Sequence, residues 1–172
     1  MKDKEIIECL KVEPGKGFRL LMDKYEQPLY WHIRRLIVSY DDSKDVAQET
    51  FVRIFRNIDK FDGKSFPAWL YRIATNEALR FLGKRSEEAG GLELAVNMTA
   101  DSYTDYSDLE AVRLQKAILT LPPKQQAAFN MRYYDEMGYD EIAQAIDSTA
   151  AAAKMNYKLA KDRIIKYMTE NE

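Results

Sequence analysis

Apolar residues recur at three- and four-residue steps along most of the chain, and each such run predicts an amphipathic helix. Ile6, Ile7 and Leu10 mark a short one over residues 2–12, ended by Pro14-Gly15, with Cys9 on its packing face as a small apolar residue. Phe18, Leu21, Met22, Tyr25, Leu29, Ile33, Leu36 and Ile37 mark a longer helix over residues 17–39. Pro28 lies inside that run, where its ring favours a kink. Tyr40-Asp41-Asp42-Ser43 then breaks the period, and either aspartate or Ser43 is placed to cap the next helix.

Val46, Ala47, Phe51, Ile54, Phe55 and Ile58 fall on one buried stripe of that helix. Asp45, Gln48, Glu49, Arg53 and Arg56 are left to face solvent or a partner. The segment 59–65 interrupts the pattern, with Gly63 free to take a positive φ and Ser65 positioned as the next cap. Phe66, Leu70, Ile73, Ala74, Ala78, Phe81 and Leu82 make the following stripe, and Pro67 stands where a first-turn proline costs least. Arg72, Asn76, Arg80 and Lys84 step by four along another face. At ~1.5 Å per residue they form a ladder about 18 Å long, suited to following a nucleic-acid strand.

Periodicity is lost over 86–108, where Gly90-Gly91 and an excess of acidic residues without Lys or Arg predict a flexible acidic linker. It resumes over 109–121 through Val112, Ala117, Ile118 and Leu121, then over 124–134 through Ala127, Ala128, Met131 and Tyr134. A short helix over 139–146, a turn at Asp147-Ser148-Thr149 and a longer helix over 150–168 make a helix-turn-helix pattern. The predicted fold is therefore all-α: two small helical domains, 1–85 and 109–172, joined by the linker 86–108.

Charge refines this picture only when divided along the chain. The net charge of −2 over 172 residues argues against bulk affinity for nucleic acid. Residues 1–85 carry 17 Lys and Arg against 13 Asp and Glu, and residues 86–172 carry 9 against 15. Local rows of cations must then do any binding, with help from a partner. With one cysteine and one histidine, the chain has neither an internal disulfide nor a zinc-binding set, and no cofactor is expected. His32 has no carboxylate or second histidine spaced to use it and reads as a packing or surface residue. The chain offers no convergent nucleophile, acid pair or phosphate loop, so no enzyme and no small-molecule substrate are expected. No apolar run spans a bilayer and the first residues lack a signal-peptide layout, so direct membrane insertion is not expected and a cytoplasmic location is.

Two stretches carry a family resemblance. Asp45-x-x-Gln48-Glu49-x-Phe51-x-Arg53-x-Phe55, followed by Phe66-x-x-Trp69-Leu70-Tyr71-Arg72-Ile73-Ala74-x-Asn76-x-Ala78, resembles region two of bacterial sigma factors of the sigma-70 family, in the extracytoplasmic-function (ECF) group. Leu121-Pro122-x-x-Gln125, Arg132-Tyr133-Tyr134, Gly138-Tyr139-Asp140-Glu141-Ile142-Ala143, Lys154 and Leu159-Ala160-Lys161 resemble region four of the same group. Their order and spacing cover nearly the whole chain.

The resemblance implies a transcription initiation factor that docks on core RNA polymerase, finds promoter DNA and captures unpaired bases as the duplex opens. Asp45, Gln48, Glu49 and Arg53 correspond to the surface presented to the polymerase. Lys64 and Ser65 would line a pocket for one flipped base, and Arg72, Asn76, Arg80 and Lys84 would follow the adjacent phosphates. Phe66 is expected to pack, while Trp69 is open to either packing or stacking on DNA. Upstream reading would fall to Thr149, Lys154, Asn156, Lys158 and Lys161. Asp147 replaces the usual turn glycine, and Ala150-Ala151-Ala152-Ala153 replaces the usual basic residues, which weakens the expected upstream contacts. The resemblance also implies an anti-sigma partner. The competing reading is a helix-turn-helix regulator that never binds polymerase, which leaves Gln48, Glu49 and the Trp69 to Arg72 string unexplained.

Overall fold

The computed structural model describes residues 1–88, 106 and 108–170. Among them are eight α-helices and no strand: α1 (Asp3–Val12), α2 (Pro14–Ile37), α3 (Tyr40–Arg56), α4 (Phe66–Glu88), α5 (Leu109–Leu119), α6 (Pro123–Tyr133), α7 (Tyr139–Ala145) and α8 (Ala150–Glu170). A single 3-10 turn, Ile58–Lys60, lies between α3 and α4. The predicted linker falls mostly outside the described residues; within them, α4 runs on to Glu88.

Only Glu13 separates α1 from α2. A Cβ on Gly17 would run into the backbone N and Cα of Leu10, so the crossing of these two helices needs a residue without a side chain. Pro28 sits inside α2 on its exposed side, and the helix continues through it to Ile37. The cap of α3 is Ser39, not Asp41, Asp42 or Ser43: its Oγ accepts from the Asp42 backbone N–H at 3.4 Å. Ser43 is buried instead, and its hydroxyl donates to the Ser39 carbonyl at 2.6 Å. The expectation failed because α3 begins at Tyr40, at least two residues earlier than any of those caps would place it. Val38 just before it takes φ of 72°, and the Val38 carbonyl accepts from the fully buried guanidinium of Arg34.

Helices α1 to α4 close on Ile6, Leu21, Leu29, Ile33, Ile54 and Leu70, none of which retains any exposure. Each contributes about 1.5–3 kcal/mol by leaving water. Phe55 departs from the predicted stripe: it is 38% exposed and lies edge-on to Phe18 with ring centroids 5.6 Å apart. His32 is wholly buried, its Nε2 within 2.8 Å of Thr75 Oγ1, and burial pushes its pKa down to about 3. It is therefore a neutral packing residue. In the second unit, Ala117, Ile118, Leu121, Phe129, Ala160 and Ile164 form a core between α5, α6 and α8.

The two units also share a core. Met131, Ile142, Ala143, Ile146 and Ala153 belong to the same buried cluster as Leu70 and Ala74, because α7 lies along α4 and α6 lies against α2. Polar contacts rim this seam. The Tyr71 hydroxyl donates to Asp135 Oδ1 at 2.7 Å, and Gln115 Nε2 donates to the Arg35 carbonyl at 2.5 Å. The Arg35 guanidinium stands over the Tyr134 ring, 3.5 Å from its centroid, and Tyr106 packs edge-on to Trp31 at 5.7 Å.

Candidate nucleic-acid interface

Asp45, Gln48 and Glu49 are exposed on the outer side of α3 and share one arc with Arg53. Arg53 is already engaged there: its Nε is 2.8 Å from Glu77 Oε1 on α4 and 3.6 Å from Glu49 Oε1. Glu77 also holds Arg80 Nη1 at 3.3 Å. This nearly buried carboxylate, 8% exposed, thus links a residue of the α3 face to a residue of the α4 row. Sequence reasoning missed it, although its place three residues after Ala74 and one before Ala78 puts it on the buried stripe.

Ser65 caps α4, accepting from the Ala68 backbone N–H at 3.2 Å. Gly63 takes φ of 82°, and Asp62 Oδ1 accepts from the Lys64 backbone N–H at 2.9 Å, which shapes the loop and leaves the Lys64 side chain in solvent. Phe61, Phe66 and Trp69 cluster under that loop. Phe66 is buried and stacks on Trp69 at 6.0 Å, while Trp69 keeps part of its surface exposed and lies 5.4 Å from Phe61. Arg72, Asn76, Arg80 and Lys84 are all exposed on α4. Steps of four drift by about 40° each on a helix with 3.6 residues per turn, so the row winds around α4 rather than running straight.

At its upper end the row meets the second unit. Arg72 Nη1 is 2.7 Å from Asp147 Oδ1, and the Ser65 hydroxyl donates to Glu141 Oε2 at 2.8 Å. Asp147 takes φ of 52°, the left-handed conformation its short polar side chain tolerates, so the turn between α7 and α8 forms without glycine. Thr149 caps α8, its Oγ1 accepting from the Ala152 backbone N–H at 3.1 Å. Lys154, Lys158 and Lys161 are exposed on one face of α8, alongside the exposed apolar side chains of Met155 and Leu159. Asn156 is half-buried and, two residues from Lys154 and Lys158 and five from Lys161, lies on the opposite side. Ala153 is fully buried, so the alanine run serves packing at its inner end.

The chain matches two family models: Sigma-70 region 2 over residues 21–88 and Sigma-70, region 4 over residues 111–164. It is 28% identical to the ECF RNA polymerase sigma factor SigW of Bacillus subtilis, an alignment covering 99% of this chain and 98% of that one. It is 27% identical to the ECF RNA polymerase sigma-E factor of Haemophilus influenzae, over 95% and 94%. The chain belongs to the sigma-70 family, in its ECF group. The fold of this sigma factor is also that of CnrH, solved in complex with the cytosolic domain of CnrY, with a TM-score of 0.79 at 19% identity over 99% of each chain. The sigma factor RpoE, solved with the anti-sigma factor NepR from Bartonella quintana, gives 0.74 at 21% identity, covering 91% of this chain and 99% of that one. The family match places the α3 face, the α4 row and the 61–65 loop within region 2, and the α7–α8 helix-turn-helix within region 4. Among the described residues no helix of the sigma factor is long and apolar enough to cross a membrane, and no group of three or more metal-ligating side chains occurs.

Proposed function

We propose that this sigma factor directs core RNA polymerase to promoters, with residues 1–85 binding the polymerase and the melted strand and residues 109–172 contacting the upstream element. The observation that carries the assignment is the separation of two polar surfaces on one helical pair: acidic and amide groups on α3, cations on α4. Asp45, Gln48 and Glu49, with Arg53 braced by Glu77, form the polymerase face. Lys64 and Ser65 hold a flipped base beside the Phe61–Trp69 aromatic cluster, and Arg72, Asn76, Arg80 and Lys84 follow the phosphates. Strand capture supplies the free energy of opening, since a factor of this kind works without hydrolysing a nucleotide and has no catalytic residues. On α8, Lys154, Lys158 and Lys161 meet the upstream duplex with Thr149 at the start of the helix, while Asn156, on the opposite side, is left out of that contact. The factor acts in the cytoplasm, and an anti-sigma protein binds it; the likeness to RpoE, solved with the anti-sigma factor NepR, supports that partner.

The test is transcription in vitro by core polymerase plus this protein on a genomic library, with start sites mapped. Glu49→Lys should abolish association with core. Replacing Arg80 and Lys84 by alanine should weaken promoter binding, lower the dependence of log Kd on log salt by about two, and leave core affinity unchanged. Loss of core affinity in that double variant would contradict the division of faces.

A further inference from the structure

We infer that α8 reads the upstream element through an apolar line that meets thymine methyl groups, with Met155 as the principal reader and Ala151 beside it. The inference rests on the proposed upstream role of the helix-turn-helix and names its specificity residues. Ala151, Met155 and Leu159 are exposed at four-residue steps, Met155 by 54% and Leu159 by 45%. The inner face of α8 is already filled by Ala153, Ala160 and Ile164, so packing does not require apolar side chains on the outer one. At ~1.5 Å per residue the line is about 12 Å long, the width of a major groove. Lys154, Lys158 and Lys161 border it on one side and supply charge for phosphates, which position a helix without reading sequence. The line ends at the exposed Asp162, whose charge a duplex would repel, so the reading stretch is the first turns of α8. Polar readers are scarce there: Thr149 Oγ1 caps the helix by accepting from the Ala152 backbone N–H, and Asn156 lies on the opposite side.

An A·T pair presents the thymine C5 methyl in the major groove and a G·C pair presents none, so an apolar side chain distinguishes the two pairs and also the strand that carries thymine. Methionine suits the task because its unbranched thioether adapts to the position of the methyl, and the small Ala151 lets the helix approach closely. Loss of one buried methyl should lower affinity by about fourfold, and loss of two by about fifteenfold.

Holoenzyme selects from duplex promoters whose upstream part is random over one helical turn, about ten base pairs, and whose downstream part comes from a mapped start site. The selected sequences are remade with deoxyuridine in place of thymidine in that stretch, which removes only the C5 methyls. Both forms are titrated with holoenzymes carrying wild type, Met155→Ser and Lys161→Ala. The inference expects wild type to bind the methyl-free duplex about four- to fifteenfold more weakly, and Met155→Ser to bind the two forms within about twofold of each other. Lys161→Ala should lose affinity for both forms alike while keeping the methyl preference. Equal wild-type binding of the two forms overturns methyl reading, as does a methyl preference that survives Met155→Ser. If Met155→Ser instead weakens association with core and leaves the preference intact, the apolar line belongs to a polymerase contact and the inference falls. If selection enriches nothing in the random stretch, the upstream role of residues 109–172 fails and methyl reading with it. If sequences are enriched but bind equally well without their methyls, methyl reading alone falls.

Discussion

Asp135 is a charge that the closed arrangement of the two units holds at a cost. It lies at the end of α6, with Tyr71 of α4 donating to Oδ1 at 2.7 Å and Arg35 of α2 among the groups around it. Burial outweighs the help of both and raises its pKa from 3.8 to about 6. The native protein therefore binds a proton at this site more readily than the unfolded chain, and the site's penalty grows as pH rises from 4 through 6. At ~1.4 kcal/mol for each tenfold change in proton affinity, that rise amounts to about 2 kcal/mol once the residual exposure of Asp135 is screened. Asp135→Asn removes the charge, keeps the volume and can exchange a hydrogen bond with Tyr71 in either amide orientation. At pH 7.5 this variant should melt about 4–8 °C above wild type, taking ~2–4 °C per kcal/mol for a chain of this size. The difference should shrink as pH is lowered through 6 and nearly vanish at pH 4. His32 works in the opposite direction: its pKa is lowered to about 3, so it withdraws stability as pH falls below 6.5. That contribution is common to both proteins and cancels in the difference. Melting curves by circular dichroism across pH 4 to 8 make the comparison. A variant less stable than wild type at pH 7.5, or a difference independent of pH, would refute the view that desolvation dominates at this seam.

Two further substitutions probe other parts of the molecule. Glu77→Gln should release Arg53 and Arg80 together, lowering stability by about 1–2 kcal/mol because both arginines are partly solvated. Thermal melting measures that loss, and the salt dependence of strand binding should steepen as Arg80 becomes free for phosphate. Gly17→Ala should cost about 1–3 kcal/mol or more by forcing α1 off Leu10, read as a fall in denaturant midpoint with little change in slope. An alanine tolerated there without loss would mean that α1 packs elsewhere in solution.

The sequence by itself determined every helix, because each buries a stripe whose spacing is set by 3.6 residues per turn and depends on no distant partner. It also placed Ser65 as a cap, Phe66 in the core, Asp147 in a left-handed turn and the α4 cations in one exposed row, since these follow from local geometry. Helix starts were less legible: Ser39 won the cap of α3 over three rivals within four residues, all with suitable side chains, because α3 begins at Tyr40 and Ser43 is buried. What only the tertiary structure decided is which exposed groups are free. Glu77 draws Arg53 and Arg80 toward one carboxylate across two helices, and Asp147 and Glu141 reach Arg72 and Ser65 from more than seventy positions away. A helical period tells which way a side chain points and nothing of what stands opposite it. The seam between α4 and α7 arises from apolar surface left over on both units after each has closed its own core, and where two such surfaces meet is a property of shape in three dimensions.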